Sequence, residues 1–305
     1  MPKVAVRYLE VDPWTVVEKG FHPERSRVSE SIFALGNGFM GVRGYFEEGY
    51  GGDHLLGSYF NGVYEERPVE HPQVFKGFVR RMHFLVNAVD WLHTRLTLDG
   101  ETLDLARSRV TDFERRLDLR TGVLERRLVW TTRRGRRLRV TFLRFVSMAE
   151  RALGGQRIML EPLNFSGTVR LRLGLDFSPW HEELGANFWA CLRRGRAGAA
   201  WGIVGRTRCT GHRVCSLFKL DAPVRPRTVR GEKFIGAELL LRVTRGVASR
   251  VDRLVCNVVE KRAGVSTSAL WAATVRRARR CWRGGFDAAL VAHRTAGQVK
   301  TDWCA

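Results

Sequence analysis

Alternating apolar and polar residues, broken by turn signals about every eight to twelve positions, limit this chain to a β-rich fold. Leu124, Leu128 and Trp130 share one parity, and Leu138 and Phe142 repeat the pattern after a basic loop at 133–136. Side chains spaced by two lie on one face of a strand. The sequence therefore predicts a long hairpin over 124–142.

A second hairpin is predicted at Asp99-Gly100, a favoured two-residue turn, between alternating residues 92–98 and a return strand at 102–105. Further strand patterns are 169–175, 199–206, 239–243 and 254–259. So many strands over more than 200 residues favour an all-β fold, a large two-sheet antiparallel β-sandwich.

The composition changes to alanine and arginine after Gly264, and the spacing becomes helical. Ser266 or Thr267 is a candidate N-cap, and Gly284 and Gly285 predict the end of a helix near residue 282. A second helical stretch follows from 286, with no evident partner for its apolar side, so we expect a further segment downstream. The domains are predicted as 1–263, the sandwich, and 264–305, a short helical linker.

The stretch Gly36-x-Gly38-x-x-Gly41 has the spacing of a dinucleotide-binding turn. That site needs a strand before the glycines and a helix directly after them, because the phosphates bind at the helix N-terminus. Residues 31–35 could form the strand, but the glycines at 44, 49, 51 and 52 exclude a helix at about 1 kcal/mol each. The alternative reading, glycines between short strands, is favoured.

The formal net charge is +21, and only seven of the 52 basic residues are lysine. Such an excess can mark a nucleic-acid surface. The densest runs, 133–137 and 276–280, are instead expected at a hairpin tip and on the polar face of a helix, where charge is normally solvated. No nucleic-acid motif accompanies them, so nucleic acid is not the expected partner.

All six cysteines lie between residues 191 and 304. Cys209-x-x-His212-x-x-Cys215 could suggest a metal, but on a strand His212 would face away from both cysteines. We expect no metal, and reduced, buried, inert cysteines. No apolar run approaches the ~20 residues that span a bilayer. The sequence predicts a cytoplasmic protein with no membrane partner.

Several blocks of the sequence resemble the N-terminal domain of glycoside hydrolase family 65, which contains maltose, kojibiose and trehalose phosphorylases and acid trehalases. The similarity is dense up to about residue 176 and thinner beyond it. The matching blocks are Val11-Asp12-Pro13-Trp14, residues 30–38 (ESIFALGNG), 41–44 (GVRG), 60–65 (FNGVYE), 116–124 (RLDLRTGVL), 144–147 (RFVS) and 162–167 (PLNFSG).

The resemblance implies a galactose-mutarotase-like super-sandwich, a linker helix and then an (α/α)6 barrel that carries catalysis. The barrel is absent from this sequence, so no catalytic residue is expected in it. Family members cleave α-linked glucosyl disaccharides with inversion, using a glutamate of the barrel as general acid. Inorganic phosphate is the co-substrate of the phosphorylases, and no other cofactor is implied. The implied partners are an α-glucosyl disaccharide in the complete enzyme, and a separately encoded barrel or a second copy of the chain.

Three residues are candidates for a substrate edge or a domain interface: Asn37, which tolerates left-handed backbone geometry, Arg43, which can bind a carboxylate, and Trp91. A purely structural turn is the alternative for the first two. Trp91, with the other tryptophans at 180, 189 and 201, could stack on sugar rings or pack in the core.

The adjacent carboxylates at 47–48, 65–66 and 182–183 are interpreted as solvated loop charge, because neighbours on a strand point to opposite faces. Inverting hydrolysis needs two carboxyl groups about 6.5–9.5 Å apart, and no spacing here sets such a pair across a substrate.

The sequence leaves two possible functions: the N-terminal domain of a family 65 phosphorylase or hydrolase, inactive alone, or a stand-alone carbohydrate- or polyanion-binding module.

Overall fold

Two antiparallel sheets face each other in the computed structural model, which describes residues 7–69, 76–181 and 184–301. Glu182, Glu183 and Cys304, which the sequence interpretation includes, lie outside these ranges. Within them the strands are β1 Leu9–Val11, β2 Thr15–Lys19, β3 Leu35–Gly36, β4 Met40–Val42, β5 Ser58–Phe60, β6 Tyr64–Pro68, β7 Arg81–Leu85, β8 Thr94–Leu98, β9 Glu101–Thr102, β10 Arg109–Asp118, β11 Val123–Thr131, β12 Arg137–Val146, β13 Leu153–Pro162, β14 Gly167–Asp176, β15 Trp189–Ala197, β16 Ala200–Thr207, β17 Arg213–Asp221, β18 Arg227–Arg230, β19 Phe234–Val243 and β20 Ser249–Glu260. The helices are α1 Ser26–Ile32, α2 Thr267–Cys281 and α3 Gly285–Thr301, and a 3₁₀ turn at Pro23–Arg25 precedes α1.

The larger sheet has ten strands in the order β1-β2-β10-β11-β12-β13-β20-β17-β16-β15, and the smaller has five, β18-β19-β14-β8-β9. Their facing sides bury apolar side chains such as Leu171 and Leu239 opposite Leu128 and Val140. Burial of both inner faces is the physical basis of a sandwich. The predicted all-β, two-sheet antiparallel sandwich is confirmed.

Both predicted hairpins are present. Strands β11 and β12 pair from Val123↔Phe145 to Thr131↔Arg137, with the basic loop at their tip. Asp99 (φ 54°) and Gly100 (φ 82°) both adopt positive φ between β8 and β9, as a type I′ turn requires. The return strand is shorter than predicted and ends at Thr102.

The strand predicted at 31–35 is wrong. Ser31 and Ile32 are the last residues of α1, residues 33 and 34 form a short connection, and β3 begins only at Leu35. The helix was not visible as an apolar pattern because its buried residues are polar: Ser26, Ser29 and Glu30. After the glycines the chain continues as β4 and an irregular loop, as predicted, so the glycine motif opens no helix.

Helices α2 and α3 cover part of the outer face of the ten-stranded sheet. Ser266 caps α2 as predicted, since its hydroxyl accepts a hydrogen bond from the Ala269 amide at 3.1 Å. The expectation that the second helix lacks a partner is wrong, because α3 buries Phe286 and Leu290 against β12, β13 and β20. These strands carry apolar side chains on their outer face as well, Phe145 among them.

A layer of buried charges lies beneath the irregular loop after β4. Glu47 and Glu48 are 3% and 1% exposed, and both accept hydrogen bonds from Arg126. Arg144 also donates to Glu47, at 3.1 Å. The interpretation of these glutamates as solvated is therefore wrong, because inward-facing arginines on β11 and β12 neutralise them within the sandwich. Glu65 is buried too, and accepts from the amides of residues 209 and 210.

Candidate functional site

The hairpin β3–β4 contains Asn37, whose side chain uses both ends of its amide. Its oxygen accepts from the amides of Phe39 (3.1 Å) and Met40 (3.0 Å), and its Nδ2 donates to the carbonyls of Ser147 (2.7 Å) and Arg151 (3.0 Å). Asn37 thereby ties the hairpin to the loop between β12 and β13. The positive φ in this turn belongs to Gly38 (78°), so Asn37 does not need the left-handed conformation that the sequence suggested.

Arg43 follows β4 directly, and its guanidinium donates to two backbone carbonyls and one side-chain hydroxyl. Its Nε donates to Leu55 O at 2.8 Å, and its Nη2 donates to Ser31 Oγ at 2.9 Å. The carboxylate of Glu30 is 4.0 Å from Nη2 and accepts from the Leu55 amide at 2.6 Å. Burial raises the pKa of Glu30. In the described residues, Arg43 thus fixes helix α1 to the segment around residue 55.

That segment forms one wall of a cleft. The Arg43 amide donates to Gly57 O at 2.9 Å, and Gly57 packs so tightly that an added Cβ would lie 2.6 Å from the Tyr59 ring and 2.7 Å from Arg43 Cδ. A side chain at position 57 would therefore push Tyr59 and Arg43 apart. The sequence-predicted residue Arg43 acts here by holding the backbone that presents Tyr59.

We call this depression, about 250 Å³ in volume, the aromatic cleft. The residues that line it come from three separate segments of the chain. They are Leu55, Leu56, Tyr59, Phe84, Leu85, Asn87 and His181. Apolar and aromatic walls with a few convergent polar groups are typical of a small-molecule site.

Asn87 connects the three segments of the cleft. Its oxygen accepts from the Ser58 amide at 2.9 Å, and its Nδ2 donates to the carbonyls of Leu56 (3.0 Å) and Trp180 (3.3 Å). The backbone N–H of Asn87 donates to His181 Nδ1 at 3.2 Å, so the proton of the neutral imidazole ring is on Nε2. Sequence reasoning did not place Asn87 beside His181, because no local pattern links residues 31 to 94 positions apart.

The four candidate tryptophans separate into two groups. Three of them are buried, with exposed fractions of 1% for Trp91, 1% for Trp189 and 2% for Trp201. The ring of Trp91 lies so close to Gly154 that a Cβ added to this glycine would be 2.8 Å from the ring. Trp180 is 59% exposed and precedes the cleft residue His181. Only Trp180 of the four thus offers a ring face to a ligand in this conformation. Roles for Asn37, Arg43 and Trp91 at a substrate edge or domain interface stay predictions.

None of the seven residues that line the aromatic cleft is a carboxylate. Asp90, which is fully buried, has its pKa raised to about 6 by burial, but its oxygen accepts from the Tyr45 hydroxyl at 2.7 Å inside the core. Glu18 and Asp252 are paired with Arg115 and Arg157. The cleft can therefore bind and stack, while the buried carboxylates of the described chain neutralise arginines or accept core hydrogen bonds.

The cysteine–histidine motif is spread over a turn and a strand. Cys209 is exposed, contrary to the prediction of buried cysteines, whereas Cys215 is buried on β17 and burial raises its pKa to about 12. His212 accepts from the Tyr64 amide at 3.3 Å. Among the described residues, no three His, Cys, Asp or Glu side chains are grouped so that they could hold a metal ion.

Within the described ranges, no helix combines the length and apolar character needed to cross a bilayer.

The fold defines the chain as a two-sheet antiparallel β-sandwich domain with two helices on the outer face of its larger sheet. A sequence model described as "Glycosyl hydrolase family 65, N-terminal domain" matches residues 16–298. The chain belongs to this family.

Curated relatives agree with this membership. The α,α-trehalose phosphorylase of Thermoanaerobacter brockii is 33% identical over 54% of this chain and 22% of its own length. The maltose phosphorylase of Bacillus subtilis (strain 168) is 32% identical over 58% of this chain and 23% of its own length. The chain therefore spans about a fifth of the length of these relatives.

A solved structure extends the agreement to almost the whole chain. A candidate kojibiose phosphorylase from the human microbiome superposes with a TM-score of 0.90 at 28% identity, over 95% of this chain and 38% of that one. The resemblance to family 65 that the sequence indicated is confirmed.

Proposed function

We propose that this chain is the N-terminal sandwich of a phosphorylase or hydrolase of α-linked glucosyl disaccharides, in carbohydrate metabolism, and that it does not cleave a glycosidic bond alone. The observation that supports this most is the match over residues 16–298 to the N-terminal domain of the family, together with a superposition that covers 38% of the candidate kojibiose phosphorylase. Inverting cleavage needs a carboxylic acid and an activated nucleophile on opposite sides of the sugar. The aromatic cleft has neither among its lining residues.

The proposed division into a sandwich, 1–263, and a helical linker, 264–305, has structural support. Strand β20 ends at Glu260 and helix α2 begins at Thr267, so the boundary falls in the connection between them. A cytoplasmic location also belongs to the proposal. The five described cysteines are free thiols, which suits a reducing compartment.

The aromatic cleft has three possible roles in this proposal: the edge of the sugar site, a surface for a separately encoded catalytic barrel, or a contact with a second copy of this chain. Tyr59 and Phe84 offer aromatic surface, and Asn87 holds the wall segments beside them through its hydrogen bonds to Ser58, Leu56 and Trp180. Arg43 and Asn37 contribute by fixing the hairpin and the wall at 55–57.

A domain replacement tests the proposal. In the candidate kojibiose phosphorylase, the part that superposes on residues 16–298 is exchanged for this chain, and kojibiose phosphorolysis is measured. We expect the chimera to fold and turn over, while the isolated 305-residue chain does not. A chimera whose two parts fold but which is inactive, beside an intact parent assayed in parallel, would count against the scaffold role.

A second candidate function, polyanion binding, is favoured by one edge of the sandwich. Strand β16 of the larger sheet meets edge strand β18 of the smaller one there, since Trp201 Nε1 donates to Thr228 Oγ1 at 2.9 Å. The neighbouring edge strand β15 reaches the turn after β18, where Arg194 Nη1 donates to Glu232 O at 2.7 Å. We call this side of the sandwich the arginine edge, because exposed arginines line it. None of these arginines has a carboxylate of the described residues within ion-pair distance. They are Arg193, Arg194, Arg196, Arg225 and Arg230.

Heparin retention tests this candidate. Replacing Arg193, Arg194 and Arg196 by glutamine should lower the salt concentration that elutes the protein from heparin, because fewer counterions are released. The matched control replaces three arginines that have carboxylate partners: Arg127, Arg133 and Arg139. Equal shifts in both variants would attribute retention to overall charge and end this candidate.

A further inference from the structure

Another pocket opens beside edge strand β9, where the irregular loop after β4 meets the five-stranded sheet. Its volume is about 430 Å³, and it shares no lining residue with the aromatic cleft. We call it the loop pocket. The side chains that decide its chemistry are Tyr50, Arg95, Asp104 and Arg107. A pocket of this size can hold a small molecule rather than a single ion.

Arg95, on β8, brings a partly buried positive charge to the loop pocket. Its Nη1 donates to the backbone carbonyls of Thr94 (2.8 Å) and Glu47 (3.5 Å). Among the described residues, Nε and Nη2 have no hydrogen-bond acceptor, and no carboxylate lies within ion-pair distance of this guanidinium. Because a partly buried charge is stabilised by a hydrogen-bonded partner of opposite sign, Arg95 is suited to bind an anionic group of a ligand.

Two glycines bring the backbone of the loop close to the charged groups. Gly49 has a φ of 85°, and a Cβ added to it would lie 2.9 Å from Cζ of Arg95. A Cβ added to Gly51 would lie 2.7 Å from Oδ2 of Asp104. A side chain at either position would therefore displace the guanidinium or the carboxylate, and the left-handed backbone at Gly49 also favours glycine.

Asp104 and Tyr50 bring oxygen atoms without protein partners to the same pocket. Oδ1 of Asp104 accepts from two backbone amides, at 2.9 and 3.0 Å, which fixes the carboxylate. Oδ2 lies 3.9 Å from Nε of Arg107 and accepts no hydrogen bond from the described residues. The ring of Tyr50 packs edge-on against two phenylalanines, with centroids 5.4 and 5.5 Å apart, and its hydroxyl has no partner within the described ranges.

We propose that the loop pocket binds a hexose monophosphate, whose phosphate contacts Arg95 and Arg107. Its sugar hydroxyl groups donate to Asp104 and bind the Tyr50 hydroxyl. A guanidinium forms charge-assisted hydrogen bonds with phosphate, whereas an ionised carboxylate only accepts and therefore requires hydroxyl donors. Inorganic phosphate satisfies only the first requirement, and a neutral sugar satisfies only the second.

The charges around the loop pocket favour an anionic ligand. Its lining residues include two arginines and two carboxylates, Glu48 and Asp104. Glu48 is buried and paired with Arg126, so two arginines face one carboxylate that lacks a close cation. Binding requires no catalytic group, so the inference does not depend on whether this chain takes part in glycosidic cleavage.

The test is isothermal titration calorimetry of the full 305-residue chain with glucose 6-phosphate, glucose 1-phosphate, glucose and inorganic phosphate, each alone. We expect at least one of the two sugar phosphates to bind at least about tenfold more tightly than glucose or phosphate, because only a sugar phosphate reaches both ends of the pocket. Its Kd should rise with salt concentration, since the attraction to the arginines is screened.

Three variants locate the binding. Arg95→Gln should raise the Kd for that sugar phosphate by about tenfold, because charge-assisted hydrogen bonds are lost. Tyr50→Phe keeps the ring and its packing, so it should leave the midpoint of thermal unfolding unchanged and raise the Kd by about threefold. The matched control is Arg170→Gln on the neighbouring strand β14, which changes an exposed arginine outside the pocket and should leave the Kd unchanged.

Four results would overturn the proposal. They are no saturable binding of either sugar phosphate, inorganic phosphate binding as tightly as the sugar phosphates, glucose binding as tightly as they do, and equal losses of affinity in Arg95→Gln and Arg170→Gln.

Discussion

Arg126→Met probes the buried charges that hold the irregular loop inside the sandwich. Arg126 donates to Glu48 Oε1 at 2.7 Å and to Glu47 Oε2 at 2.8 Å, and its guanidinium lies 4.5 Å from the centre of the Phe142 ring. With Arg144, the group has two positive and two negative charges. Methionine fills a similar volume but leaves two buried carboxylates with one arginine.

Breaking a buried pair by removing one partner costs about 3–5 kcal/mol, because the remaining charge is left uncompensated. We expect the free energy of unfolding, measured by urea titration with tryptophan fluorescence, to fall by about that amount. The matched control is Arg127→Met on the same strand. Arg127 points outward, its side chain is 56% exposed and it pairs with Glu114, so its loss should cost only about 0–1 kcal/mol.

The pH dependence identifies the mechanism. Burial alone would raise the pKa of Glu47, but Arg144 and Arg126 hold it below the ordinary value of 4.5. A depressed folded-state pKa contributes stability that is present above the unfolded value and is lost as pH falls through the folded one. The difference in the free energy of unfolding between wild type and Arg126→Met should therefore become smaller below about pH 4.5.

Restoring charge balance should recover part of the loss. Glu48→Gln combined with Arg126→Met leaves one carboxylate and Arg144, so the double variant should be more stable than Arg126→Met alone. The reasoning is refuted if Arg126→Met costs no more than Arg127→Met, or if its cost does not change with pH.

Asp90→Asn removes a buried carboxyl group whose ionisation opposes folding. Burial raises the pKa of Asp90 from 3.8 to about 6, so the protonated carboxyl stabilises the fold at low pH, and this stabilisation is lost as pH rises through 6. Between about pH 4 and 7, the free energy of unfolding of the variant, measured by urea titration, should rise relative to wild type by up to about 3 kcal/mol. A difference between the two proteins that does not change with pH would contradict the raised pKa of Asp90. Gly155→Ala should destabilise by about 1–3 kcal/mol, because its Cβ would lie 2.3 Å from the Phe145 ring beneath α3. In the same titration Gly195→Ala, with nothing within 4 Å, should be near neutral, and equal losses would argue against the packing account.

Local patterns sufficed for most of the scaffold. The hairpin over 124–142 and the capped helix from Ser266 are encoded by spacing and turn chemistry within about 20 residues, so sequence alone predicts them. Helix α1 is different, because Ser29 and Glu30 face the interior and the apolar periodicity that marks a helix is missing. Tertiary hydrogen bonds, such as Glu30 to the Leu55 amide, compensate for that burial.

Non-local partners explain the other failures. Glu47 and Glu48 are ordinary loop acids in sequence, and only their approach to Arg126, 78 or 79 positions away, makes them interior residues. The aromatic cleft likewise appears only when Asn87 joins Leu56 to Trp180. Such pairings cannot be inferred from one sequence, because strand order in a sandwich does not follow chain order.

We propose that this domain of a glycosyl hydrolase family does not cleave a glycosidic bond by itself. The direct measurement is glucose release by the purified 305-residue protein, incubated with phosphate and, separately, maltose, trehalose or kojibiose. The account predicts rates equal to those of the heat-denatured protein, while a full-length family member is active in parallel. Sustained release of glucose from any of the three disaccharides, proportional to the amount of this protein, would contradict it.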